Sequence, residues 1–168
     1  MFCAQLQAAQ QSKSFWNSPH AAPLLARQGD IFVSDTGVEK IFRIRNFVPE
    51  VYIDSAPGAN GLFIDKDNLI VGSGTQLVRY NTALEATLIT QLPFSTIDGI
   101  AKIKRDNYLV SLWDGQIYWI NRDGSQTLLL DLIPHGIYTA DFTYSKEKKL
   151  LVVPNFFSNT VTAYRLQY

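Results

Sequence analysis

At 168 residues the chain is long enough for one ordinary domain with a real core. A composition of 46% hydrophobic and 12% aromatic residues against 18% charged excludes a disordered chain. Lys+Arg 15 against Asp+Glu 15 leaves no net charge, which argues against a nucleic-acid partner, and a single cysteine leaves no intrachain disulfide or cysteine-based metal site. No run approaches the ~18 apolar residues of a membrane span, so no membrane partner is expected.

Residues 1–18 read as a leader. Phe2 to Gln10 lacks the basic and apolar regions of a secretory signal, yet Leu6-Gln7-Ala8 followed by Ala9-Gln10-Gln11 looks like the end of one. A periplasmic or secreted location and a cytoplasmic one are both compatible with this, and export is the expectation. Ser12 to Trp16 is a short β-prone run with two aromatics.

From residue 19 onward one unit recurs. Its second strand is Ile31–Ser34, then Leu69–Gly72, Tyr108–Ser111 and Leu150–Val153, a repeat of about 40 residues. Polar turns precede these strands, and first strands precede the turns at Pro23–Ala26, Gly61–Ile64, Gly99–Ile103 and Phe142–Tyr144. Third strands follow at Ile41–Arg45, Gln76–Tyr80, Gln116–Ile120 and Thr160–Arg165, and fourth strands at Glu50–Ile53, Ala86–Gln91 and Gln126–Leu130. Asp114-Gly115 and Asp123-Gly124 supply hairpin turns. Four strands repeated at this period are the spacing of propeller blades, so the fold expected is an all-β propeller with blades 19–56, 57–95, 96–133 and 134–168. The last unit lacks a fourth strand, and Ser12–Trp16 is the candidate to close the ring there.

Propeller blades converge on a central channel where their first strands begin. Asn60, Asp98 and Asp141 stand at that position in three units, and their oxygen donors suit Ca²⁺, Mg²⁺ or Mn²⁺. The competing reading is structural: Asn and Asp beside such turns bond their own backbone. His20 and His135 are loop residues beside Pro19 and Pro134 that can serve as a ligand or base near neutral pH. Trp113, Trp119, Tyr138, Phe156 and Phe157 are aromatic enough to line a ligand pocket. By phase, most of them belong to blade-to-blade core, with Trp113 at the channel mouth.

Three segments, GANGLFIDKDNLIVGSG (Gly58 to Gly74), IDGIAKIKRDNYLVSLWDGQIYWINRDG (Ile97 to Gly124) and LLVVPNFFSNTVTAYRL (Leu150 to Leu166), carry a resemblance. Together they resemble the gluconolactonase, senescence-marker-protein and luciferin-regenerating propellers, nearest an exported bacterial branch with NHL-type repeats. That family has six blades, whereas this sequence supplies four, so the resemblance implies a shortened form. Self-closure, an open arc pairing with a second copy, and an incomplete chain are the alternatives.

The resemblance also implies a divalent metal held by a glutamate, two asparagines and an aspartate, and a lactone-hydrolase activity with the aspartate as base. Asn60 matches one asparagine and Asp98 the aspartate, the implied catalytic residue. His20 stands where the glutamate would be, and Ala21-Ala22 where the family has Asn-Asp. The expected function is therefore a ligand-binding propeller with an incomplete metal site, the alternatives being an active lactonase-like hydrolase or a protein-interaction scaffold. Its partners would be a small molecule, at a pocket including Trp113 and His135, or a protein at the propeller face. A homodimer through an open blade edge is the further expectation.

Overall fold

The structure is a computed structural model; it describes residues 21–27, as backbone alone, and 29–168. The chain forms four antiparallel sheets in succession. The first holds β1 (Ala21–Arg27), β2 (Asp30–Asp35), β3 (Lys40–Arg45) and β4 (Val48–Ile53). The second holds β5 (Ala59–Asp65), β6 (Asn68–Ser73), β7 (Gln76–Tyr80) and β8 (Ala86–Gln91). The third holds β9 (Ile97–Lys102), β10 (Tyr108–Leu112), β11 (Gln116–Ile120) and β12 (Gln126–Asp131). The fourth holds β13 (Tyr138–Thr139), β14 (Thr143–Ser145), β15 (Leu150–Phe156) and β16 (Thr160–Arg165). The protein is all-β, as the repeat predicts. Among the described residues the one helical turn is a 3-10 turn at Ile133–His135, and no helix is long and apolar enough to cross a membrane.

In the first three sheets each strand pairs with the next in sequence, so the inner strand of a sheet is its first. The fourth sheet differs. Its inner strand is interrupted: Tyr138–Thr139 pairs with the far end of β15 and Thr143–Ser145 with the near end, leaving residues 140–142 out of the ladder. The sequence had suggested one first strand at Phe142–Tyr144. The outer edge of β16 has no strand partner among the described residues, and Ser12–Trp16 lies outside them.

The core is divided between consecutive sheets. Phe32, Ile41 and Ile53 meet Leu62, Leu69 and Val71 between sheets one and two. Ile70 and Leu77 meet Ile97, Tyr108 and Val110 between two and three, and Leu109 and Ile117 meet Leu151 and Val153 between three and four. All of β10 is buried because both its faces are covered, which is why its sequence is a continuous apolar run rather than an alternating one. The outermost strands β8 and β12 carry mostly exposed residues, including Leu88 and Leu128. Pro49 is accommodated on β4 because that strand lies at a sheet edge.

Neighbouring sheets approach closely at positions where a side chain is missing. A Cβ on Gly61 would lie 2.1 Å from the Asp98 carbonyl oxygen, and one on Gly115 (φ +116°) would lie 2.2 Å from the Ile137 carbonyl. Polar groups tie the sheets where they meet. The Ser34 hydroxyl donates to the Asn60 carbonyl (2.7 Å), and the Thr139 hydroxyl to the Leu112 carbonyl (2.6 Å). Lys102 donates to both carboxylate oxygens of Asp65 (2.6 Å), to which the Tyr108 hydroxyl also donates (2.7 Å).

Because the Asp98 backbone cannot retreat without pulling β9 off its sheet, Gly61→Ala should destabilise the fold by about 2–4 kcal/mol. Chemical denaturation of the variant and the parent measures this, and a loss below about 0.5 kcal/mol would show that β5 and β9 are not held together as described.

Candidate functional site

Regular strands cannot point two neighbouring side chains to one side, and the inner strands break regularity at one place. In β5 the ladder with β6 slips between Ala59 and Leu62, and in β9 the ladder with β10 slips between Ile97 and Ile100. In the fourth sheet the corresponding irregularity is the gap between Thr139 and Thr143. Asn60, Asp98 and Asp141 each lie inside one of these interruptions. A bulge re-aims the residue it carries, and bulges commonly flank functional sites. The three sequence-selected residues thus share one structural position in three consecutive sheets.

Their surroundings hold them there. The Asn60 carbonyl is anchored by Ser34. The Gly99 amide after Asp98 donates to the Ser111 hydroxyl (2.7 Å), which donates in turn to the Ala140 carbonyl before Asp141 (2.9 Å). One hydroxyl therefore links the Asp98 segment to the Asp141 segment. Ser111 was legible in the sequence only as the end of a second strand.

Among the described residues the electrostatics are those of negative charge without a counter-charge. Burial, and then the charge on Asp141, push the Asp98 carboxyl up to about 6. Burial also raises Asp141, which keeps a solvent-exposed side and accepts a backbone hydrogen bond from Phe142. The Asn60 side-chain oxygen is buried with no hydrogen-bond partner among the described residues. A buried acceptor left unpaired costs about 1–3 kcal/mol, so a cation or donor at this point would relieve a standing penalty. No group of three or more His, Cys, Asp or Glu able to hold a metal occurs among the described residues; the donor set here is two carboxylates and one amide oxygen.

The remaining sequence-selected residues fall elsewhere. His20 lies outside the described residues, and Ala22 of β1 pairs with Ser34. His135 ends the 3-10 turn, exposed, its amide donating to the Leu132 carbonyl. Trp113 follows β10, partly buried. Trp119 packs at the third-to-fourth sheet interface as its phase predicts. Tyr138, Phe156 and Phe157 do not: they are 38%, 41% and 78% exposed. Phe157 lies in the turn beyond β15 and Tyr138 at the start of a two-residue strand, so strand phase does not govern them.

No family model matches the chain, and no curated protein matches it. Solved structures do. The structure is similar to that of a streptogramin B lyase (TM-score 0.65, 13% identity), covering 89% of this chain and 55% of that one. It is similar to a luciferin-regenerating enzyme (TM-score 0.62, 14% identity; 83% of this chain, 56% of that one). A computationally designed protein, Ika4, matches over 97% of this chain and 96% of its own (TM-score 0.60, 12% identity). The fold is a β-propeller. The chain spans a little over half the length of the lyase and the luciferin-regenerating enzyme.

Asp98 offers a direct check of the site's electrostatics. Its folded pKa of about 6 lies above the ~3.9 of an unfolded aspartate, so between those values the folded state binds more protons and stability falls as pH rises. Asp98→Asn should therefore melt about 2–4 °C above the parent at pH 7.5 and at the same temperature near pH 3.5, where the parent carboxyl is protonated in both states. A variant less stable at pH 7.5 would mean that the carboxylate has a favourable partner.

Proposed function

We propose that the protein is a ligand-binding β-propeller that holds a divalent cation through Asn60, Asp98 and Asp141, with weak or no catalytic turnover. The observation that carries this reading is that the interruption recurring along the inner strands, which falls at Pro23 in the first sheet, carries an oxygen-bearing side chain in each of the next three. The buried oxygen of Asn60 and the carboxylates of Asp98 and Asp141, which have no partner side chain among the described residues, fit a hard cation such as Ca²⁺, Mn²⁺ or Mg²⁺. Three side chains are fewer ligands than Ca²⁺ takes, so the other positions fall to water or to the bound small molecule. A bound cation of this kind supplies Lewis acidity to a carbonyl oxygen or a water.

Asp98 also favours a second reading, a lactonase-like hydrolase. A carboxyl poised near 6 can hold and release a proton at neutral pH, which is what a general base requires. The segments resembling lactone-hydrolysing propellers support this reading, and His20 with Ala21-Ala22 counts against a complete site. The outer edge of β16, unpaired among the described residues, supports association with a second copy, and the Leu6 to Gln11 segment supports export.

Calorimetric titration of the purified protein with Ca²⁺ and Mn²⁺ tests the proposal. Saturable heat is expected, abolished in Asp98→Ala and weakened at least about tenfold in Asn60→Ala, since each removes a direct ligand. No heat with either ion removes both readings. Heat with no lactone hydrolysis above the rate of Asp98→Asn leaves the binding reading alone.

A further inference from the structure

Four aromatic rings at the end of the third and fourth sheets form a closed circuit of contacts. Trp113 meets Phe156 (ring centroids 4.8 Å apart), Phe156 meets Phe157 (4.5 Å), Phe157 meets Tyr138 (5.9 Å), and Tyr138 returns to Trp113 (6.0 Å). Neighbours are inclined by 53–88°, so the rings face in several directions rather than stacking. Aromatic rings on a fold's interior need no explanation, but three of these are 38–78% exposed.

Phe157 is the most telling. It is the most exposed of the four and holds a left-handed backbone (φ +66°), a conformation that costs a bulky residue about 1–3 kcal/mol. Phe47 is also left-handed and exposed, but it has no ring partner among the described residues. At position 157 glycine or asparagine would serve the turn better. The phenyl ring is retained where neither burial nor turn geometry calls for it.

The backbone ties this circuit to the chain segments that carry three carboxylates. The Trp113 amide donates to the Thr96 carbonyl (3.0 Å), two residues before Asp98. The Trp113 carbonyl accepts from the Thr139 amide (3.2 Å), two residues before Asp141. Asp114 follows Trp113 directly. None of Asp98, Asp114 and Asp141 has an ion-pair partner among the described residues. Ring faces carry negative potential and attract cations, most strongly that of tryptophan.

We infer that the circuit of Trp113, Tyr138, Phe156 and Phe157 binds the alkylammonium head of a small molecule, with the neighbouring carboxylates supplying the long-range attraction. A neutral apolar ligand would use the rings but not the acids, and a hydrated inorganic cation would use the acids but not the rings. An alkylated ammonium uses both. This inference goes beyond the divalent-cation proposal and does not rest on it; with a divalent cation held by Asp98 and Asp141, the carboxylate left to attract the ligand is Asp114.

The test is titration of the full chain at constant ionic strength with choline and with its neutral isostere 3,3-dimethyl-1-butanol. Choline should bind saturably and move the indole N–H resonance of Trp113, with the isostere at least about tenfold weaker. Phe157→Ser should leave the melting temperature unchanged and weaken choline about two- to fivefold, the effect of one exposed ring. Equal binding of the isostere would overturn the inference by showing an apolar platform only. Absence of choline binding would overturn it too, as would a dimer that Phe157→Ser converts to monomer while choline gives no signal. Choline binding in a protein that gives no heat with either Ca²⁺ or Mn²⁺ sustains this inference and removes the divalent-cation proposal.

Discussion

Everything at the inner end of the molecule depends on how near two inner strands can come. Between β5 and β9 the separation is set by Gly61, whose missing side chain leaves the space that the Asp98 carbonyl occupies. The same economy recurs at Gly72, where a Cβ would fall 2.4 Å from a methyl of Ile97, and at Gly99, where it would meet the Phe142 ring at 2.7 Å. Any side chain at these points would wedge the sheets apart and carry the residues in the bulges away from one another. The site and the packing therefore answer to one steric requirement.

Apolar contact alone would let such sheets slide, since a row of aliphatic side chains specifies separation better than register. The polar ties supply register. Asp65 is held below the usual carboxylate range because, against the cost of its burial, Lys102 and Tyr108 both donate to it across the sheet boundary. Burial and that same hydrogen bond push the Tyr108 hydroxyl up to about 12, so the donor keeps its proton throughout the physiological range. Ser34, Ser111 and Thr139 act similarly with backbone carbonyls as acceptors. Each is buried with its hydroxyl satisfied, which makes a small polar residue an asset in an otherwise aliphatic strand.

Most of the architecture was legible in the sequence because strand spacing and turn chemistry are local. The runs at Leu69–Gly72 and Tyr108–Ser111 name their own strands, and Asp114-Gly115 and Asp123-Gly124 their own turns. The interruption of the fourth inner strand was not legible, because nothing in Ala140-Asp141-Phe142 itself says that three residues will leave a ladder; the partner strand decides that. Asn60, Asp98 and Asp141 could be aligned by period, but their bulges are a property of pairing with β6, β10 and β15 and appear only once registers are known. Tyr138, Phe156 and Phe157 were misplaced as core for a related reason. Alternation predicts facing only within a regular strand, and these residues lie at strand ends and in a turn.

The division of the core has its own consequence. Among the described residues each apolar cluster joins two consecutive sheets, so cohesion there is passed from neighbour to neighbour rather than shared through one common centre. Among the described residues the second and third sheets each share two of these clusters and the first and fourth one each. Over evolutionary time, repeats of this kind can be gained or lost at the ends while the interior joints, and whatever ligand they frame, survive unaltered.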